Sequence, residues 1–198
     1  MRRVALLMAF GGCFGLLAGA ASAGVRVTER TGSYAVAGQS GAALLEAMDR
    51  RGPKHGFLTR AIAQTRYAIS WRIEWAETSR ACRVKRLDGE LAITYTYPQA
   101  AGRLQRGLDR KWARFLAGVR KHEEMHGRLA RQMAKAAERS VARLTVANDP
   151  GCRKARLAAK RRMSAVYAEY EARQLSFDTR EHRAGGPVED LIEALIRQ

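Results

Sequence analysis

Histidine is scarce in this chain of 198 residues, with four in all, and cysteine scarcer still, with three. No two cysteines stand in a C-x-x-C pair, so a thiolate metal site built on such pairs has no support. Acidic residues are few, 19 against 36 lysines and arginines, which leaves a formal charge of +17. Beyond the first 23 residues there is no apolar run long enough to span a bilayer, and the leading run is itself short and rich in glycine. Internal repeats, low-complexity segments and nucleic-acid motifs are also missing. A strongly basic surface favours polyanions. With no nucleic-acid motif, however, DNA or RNA is not expected; anionic lipids, cell-envelope polymers or acidic substrates are the partners open to a secreted chain, and a solvated basic face with no partner accounts for the charge equally well.

Residues 1–23 have the order of a secretory signal peptide. Arg2 and Arg3 form the charged start, Val4 to Leu17 the apolar stretch, and Ala21-Ser22-Ala23 the small-residue cleavage site. The expected mature chain, residues 24–198, is one domain, secreted or periplasmic, with no transmembrane segment. It keeps Cys82 and Cys152, for which the default in an oxidising compartment is a disulfide.

Against this background the stretch His122-Glu123-Glu124-Met125-His126 stands out. H-E-x-x-H on a helix places both imidazoles one above the other on one face, where they can reach one metal ion. The glutamate after the first histidine projects beside them, where it can hold and deprotonate a water. The flanking sequence is helical in period. Leu104, Leu108, Trp112, Phe115, Val119, Leu129, Met133, Ala137, Val141 and Leu144 recur in steps of three and four, and both histidines fall in register on that stripe. They therefore face inward.

Around this helix, taken as roughly 101–146 with local weakening at Gly107, Gly118 and Gly127, other elements can be placed. Val25 to Thr31 and Tyr34 to Val36 are short β-like runs. Ser40 is an N-cap for a helix through Arg51, stopped by Gly52-Pro53. His55 follows in a loop and is not expected to be a ligand. Residues 68–76 alternate, with Ile69, Trp71, Ile73 and Trp75 on one face, as a half-buried strand does. Asp88-Gly89 predicts a hairpin between 81–87 and 90–97, ended by Pro98. Asp149-Pro150 starts another helix, to about Gln174, and a last amphipathic helix spans Val188 to Ile196. The expected fold is α+β: a small antiparallel sheet packed on a long, zincin-like active-site helix and further helices.

A catalytic zinc needs three protein ligands and one open position. The metzincin pattern fails, because Leu129 and Gln132 stand where its glycine and third histidine belong. The candidates for the third ligand are Glu169 or Glu171 on the following helix, or His182 in a polar loop after it, with Asp178 able to orient its imidazole.

The order of a leader, Trp-containing strands, Cys82, a Trp112-x-x-Phe115 helix running into His122-Glu123-x-x-His126, Cys152, and Phe177-Asp178 followed by His182 resembles a bacterial family of unknown function described as predicted secreted zinc-dependent proteases. The likeness covers most of residues 34–183. It implies a zinc metallopeptidase with Zn2+ on His122, His126 and His182, Glu123 as the general base, and a protein or peptide substrate. Glu124 is the poorer base, while Arg180, Tyr167 and Tyr170 are possible oxyanion partners. Two rival readings are a non-enzymatic basic envelope protein with at most a structural metal, and a zinc hydrolase of non-peptide amides.

Overall fold

The computed structural model describes residues 24–55 and 59–197; the leader lies outside the described residues. In chain order the elements are β1 (Val25–Val36), α1 (Gly41–Arg51), β2 (Lys54–His55), β3 (Thr59–Arg60), β4 (Gln64–Glu77), β5 (Ala81–Ala100), α2 (Arg106–Val141), β6 (Thr145–Ala147), α3 (Arg153–Glu181) and α4 (Pro187–Ile196). The fold is α+β, and its main sheet is mixed rather than antiparallel. β5 is central and runs parallel to β1 on one side and antiparallel to β4 on the other, and its first residues also pair with β6. β2 and β3 form a separate two-stranded ribbon, which places the backbone of His55 in a strand.

The hairpin expected at Asp88-Gly89 does not form. β5 passes straight through both residues, and Gly89 pairs with Trp71 of β4. A Cβ on Gly89 would lie 2.6 Å from the Trp71 ring, so the glycine makes room for an indole lying on the backbone rather than for a turn. Likewise, β1 continues through Gly32-Ser33, and β5 runs past Pro98, which pairs with Tyr34.

The 36 residues of α2 form one unbroken helix across Gly107, Gly118 and Gly127. Two of these glycines mark close approach rather than weakness. A Cβ on Gly118 would strike Leu191 of α4 at 2.4 Å, and one on Gly127 would meet the Tyr95 hydroxyl of β5 at 1.9 Å. α2 therefore lies hard against the sheet one residue beyond His126. The inward stripe is as the periodicity demanded: Trp112, Phe115 and Val119 join Leu91, Ile93 and Tyr95 in one core, while Ala137, Val141 and Leu144 join Leu87, Ala159 and Met163 in another. The helix ends at Val141, short of 146, because Thr145–Ala147 leave it to pair with β5.

α1 is capped as expected, with the Ser40 hydroxyl accepting from Ala43 N at 3.2 Å, and it stops at Gly52. Pro150 opens a short 3-10 turn before α3 instead of α3 itself. The buried carboxylate of Asp149 still caps α3, accepting from Lys154 N at 2.9 Å and Ala155 N at 2.8 Å. Burial pushes that carboxyl up, but these backbone hydrogen bonds outweigh it and hold its pKa below the ordinary value. Beside this cap, Cys82 and Cys152 form a disulfide with Cα atoms 5.3 Å apart, fastening the start of β5 to the start of α3.

Two outcomes follow for stability. The bridge closes a separation of 70 residues; in the chain-entropy description, replacing both cysteines by serine costs roughly 4 kcal/mol, to be read from urea denaturation of the oxidised parent and the variant. Asp149→Ala lowers the melting temperature at neutral pH. Because the folded pKa is depressed, the carboxylate's contribution is present above the unfolded carboxyl pKa and is lost as pH falls through the folded one. Melting curves of parent and variant therefore converge in acid.

Candidate metal centre

α3 is longer than its sequence pattern indicated. It runs past Gln174 to Glu181, and the backbone N–H of His182 bonds to Asp178 O at 2.9 Å, closing the last turn. His182 is therefore at a helix end and not in a loop. This change brings a second face into play. Gln174, Phe177, Asp178, Glu181 and His182 recur at helical spacing and lie along the side of α3 that meets His122 and His126 of α2. The phenyl ring of Phe177 stacks on His122 at 4.9 Å and meets His126 edge-on at 5.2 Å, so an apolar wall backs both imidazoles.

The donor atoms converge. Nε2 of His122 and Nε2 of His126 are 3.2 Å apart. Oδ1 of Asp178 lies 3.3 Å from the first and 2.9 Å from the second. His122, Asp178 and His182 each offer one ligand atom within 4.8 Å of the others. Around a tetrahedral ion with bonds of about 2.0–2.1 Å, neighbouring ligand atoms stand roughly 3.3 Å apart. The two distances from His122 Nε2 match that edge length, so these residues can hold a metal ion. Imidazole nitrogens joined by one carboxylate oxygen suit divalent zinc and its first-row neighbours better than calcium or magnesium.

Electrostatics agree with a tightly drawn cluster. Burial pushes His126 down, but hydrogen bonds to Asp178 and Gln174 and the charge of Asp178 outweigh it, so its pKa is raised. Burial pushes Asp178 up, yet hydrogen bonds from both histidines and their charge hold its carboxyl well below the ordinary range. His182 is lowered, first by burial and then by His122. The imidazoles of His122 and His126 are only 10% and 14% exposed, whereas the Asp178 side chain is 42% exposed. With His182 exposed as well, α3 forms the open rim of the site and α2 its floor.

Glu123 is 7% exposed and makes no ion pair with a lysine or arginine among the described residues, although its charge acts on the imidazoles of His126 and His182. Its Oε2 accepts a hydrogen bond from Thr65 Oγ1 of β4 at 2.6 Å, and the same hydroxyl lies 3.0 Å from the Glu123 carbonyl oxygen. Glu124 is exposed. Glu169 pairs with Arg173 on the solvent side of α3 and Glu171 is exposed, so neither belongs to the cluster. The other polar candidates are occupied in packing: Tyr167 accepts from Trp71 Nε1 at 2.6 Å, Tyr170 is buried against Arg173, and Arg180 lies over Phe177.

The donor that the sequence reading missed is Asp178. Its signal was available, because Asp178-x-x-x-His182 repeats the one-turn spacing of His122-x-x-x-His126, but it is visible only if α3 extends past Gln174. Thr65 had no local signal, since its role comes from the pairing of β4 with the rest of the sheet.

Residues 31–186 match a family described as "Bacterial protein of unknown function (DUF922)". The chain belongs to the DUF922 family. No curated protein and no solved structure matches it. In this DUF922 chain the family match takes in every residue of the cluster, both cysteines and Thr65. No helix among its described residues is long and apolar enough to cross a membrane.

The metal centre predicts a composition. The purified protein takes up about one divalent ion per chain, as a single site of this kind does. His126→Ala, Asp178→Ala and His182→Ala each reduce that uptake, while Glu169→Ala and Glu171→Ala leave it intact, as measured by elemental analysis after dialysis against zinc.

Proposed function

We propose that the protein is a zinc-dependent peptidase that acts outside the cytoplasm. The observation that carries this reading is Glu123: a buried carboxylate next to the first motif histidine, held by Thr65 and not tied up by any lysine or arginine among the described residues. A metal site that served only to fasten α2 to α3 needs no such group. When bound, zinc supplies Lewis acidity that acidifies water and polarises a carbonyl. Glu123 takes the proton of the attacking water as its oxygen adds to the carbonyl carbon. It returns that proton to the nitrogen as the carbon–nitrogen bond breaks, leaving an acid and an amine. Thr65 fixes the carboxylate for both transfers. Among the described residues the outer edge of β4 has no partner strand in the main sheet, and Thr65 sits on that strand, so an extended peptide added to this edge passes close to Glu123. The Cys82–Cys152 disulfide and the leader-like first 23 residues support action in an oxidising compartment.

One observation favours a second reading, a basic envelope-binding protein with a structural metal. Arg153, Arg156, Lys160 and Arg161 are exposed near the start of α3 and pair with no carboxylate among the described residues. His122, Asp178 and His182, with His126 beside Asp178, are also enough side chains for a structural zinc site of four ligands.

Glu123→Gln separates the two readings. The expected variant binds as much zinc as the parent and cleaves a panel of unfolded proteins and peptides about 10²–10⁴-fold more slowly. Equal cleavage by parent and variant sinks the mechanism. Parent activity on cell-wall amides alone moves the substrate away from peptides. Salt-sensitive binding to anionic vesicles, unaltered by the substitution and without any cleavage, selects the second reading.

A further inference from the structure

The two motif histidines turn their Nε2 atoms toward each other, and what sets that orientation lies on their far sides. Nδ1 of His126 is 2.5 Å from Oε1 of Gln174, and Nε2 of the same glutamine donates to the His126 carbonyl oxygen at 3.2 Å. The second contact decides the first. A carbonyl oxygen only accepts, so the NH2 of Gln174 must face it and its oxygen must face the ring. That oxygen also only accepts, so Nδ1 of His126 must carry a hydrogen. In the neutral imidazole that a metal ion requires, this is the one N–H, which leaves the Nε2 lone pair for the cluster; without an ion, Nε2 lies 2.9 Å from Asp178 Oδ1.

His122 lacks an equivalent partner at hydrogen-bond distance. Its Nδ1 is buried without one, a state that costs free energy. The nearest carboxylate is Oε2 of Glu181 at 3.9 Å. Glu181 is on the last turn of α3, on the same face as Gln174 and Asp178, and a small side-chain rotation closes the gap.

We propose that Gln174 and Glu181 are positioning residues for the metal centre, each accepting the Nδ1 hydrogen of one motif histidine, Gln174 that of His126 and Glu181 that of His122. The inference rests on the reading of the cluster as a metal site. α3 thus supplies two kinds of group from one face: Asp178 and His182 toward the ion, Gln174 and Glu181 toward the outer nitrogens of the α2 ligands. Partners of this kind fix the tautomer and raise ligand basicity, and their loss typically weakens metal binding by about 10–100-fold.

The test measures zinc affinity by competition with a chromophoric chelator, together with thermal melting in the absence of metal. Gln174→Leu and Glu181→Leu each weaken zinc binding by about 10–100-fold while leaving the metal-free melting temperature near that of the parent. Glu181→Gln keeps an acceptor without the charge and stays within a few-fold of the parent. Independently of any variant, nitrogen NMR of the zinc-loaded parent shows both motif histidines protonated at Nδ1 and ligating through Nε2. Ligation through Nδ1, or leucine variants with the parent's affinity, overturns the inference while leaving the metal centre standing. A parent that takes up no zinc overturns both.

Discussion

The structure depends on the packing of α2 against α3. Each helix alone carries a pair of donors one turn apart, His122 with His126 and Asp178 with His182, and neither pair encloses a site. Set side by side, the two faces bring ring nitrogens and a carboxylate oxygen to 2.9–3.3 Å of one another. The alignment is fixed along the helices as well as at the cluster. Arg162 reaches from α3 to the Ser140 carbonyl of α2, and Tyr167 receives the indole N–H of Trp71 from β4. At the far end the Asp149 cap and the Cys82–Cys152 bridge tie the first turn of α3 to the sheet. A slip of one residue along either helix would rotate a donor out of the site.

The sheet controls the other coordinate, the height of α2. Gly127 lets the helix settle onto the Tyr95 hydroxyl, and Gly118 lets α4 close on its outer side. Any side chain at Gly127 would lift the helix at the residue following His126. Thr65 then joins sheet to helix at Glu123, with a contact shorter than most neutral hydrogen bonds, as expected for a donor to a carboxylate. A helix bearing H-E-x-x-H is thus positioned from two directions, by α3 at the imidazoles and by β4 at the carboxylate.

The parts of this arrangement that were legible in the sequence are those set by local periodicity. The inward stripe from Leu104 to Leu144, the burial of both motif histidines, the alternating strand around Ile69 to Trp75 and the cap at Ser40 all follow from the residues on a single element. Four features did not, because each is decided by a partner element. Asp88-Gly89 reads as a turn until Trp71 of the neighbouring strand is laid over the glycine. Gly118 and Gly127 read as weak points until Leu191 and Tyr95 occupy the space they leave. The parallel pairing of β1 with β5 has no local signature. The last turns of α3 are polar and score poorly as an apolar helix face, since Gln174, Asp178, Glu181 and His182 face the imidazoles of α2 rather than the core.

The same polar face explains the opposite shifts of its two strongest ionisable partners. Burial opposes both shifts; Asp178 is lowered by hydrogen bonds from His122 and His126 and by their charge, and His126 is raised by hydrogen bonds to Asp178 and Gln174 and by the charge of Asp178, so the 2.9 Å contact between His126 and Asp178 enters both. Without an ion, the pair's contribution is full between the unfolded carboxyl and histidine pKa values, and it is lost as pH falls through the depressed pKa of Asp178 or rises through the raised pKa of His126. A metal ion takes the place of that proton and needs the deprotonated donors. The cluster that can hold a cation is therefore also one that raises the pKa of one of its own histidines. Convergence is what would favour an ion over the proton: the proton is shared between His126 and Asp178, whereas an ion could also engage His122 and His182.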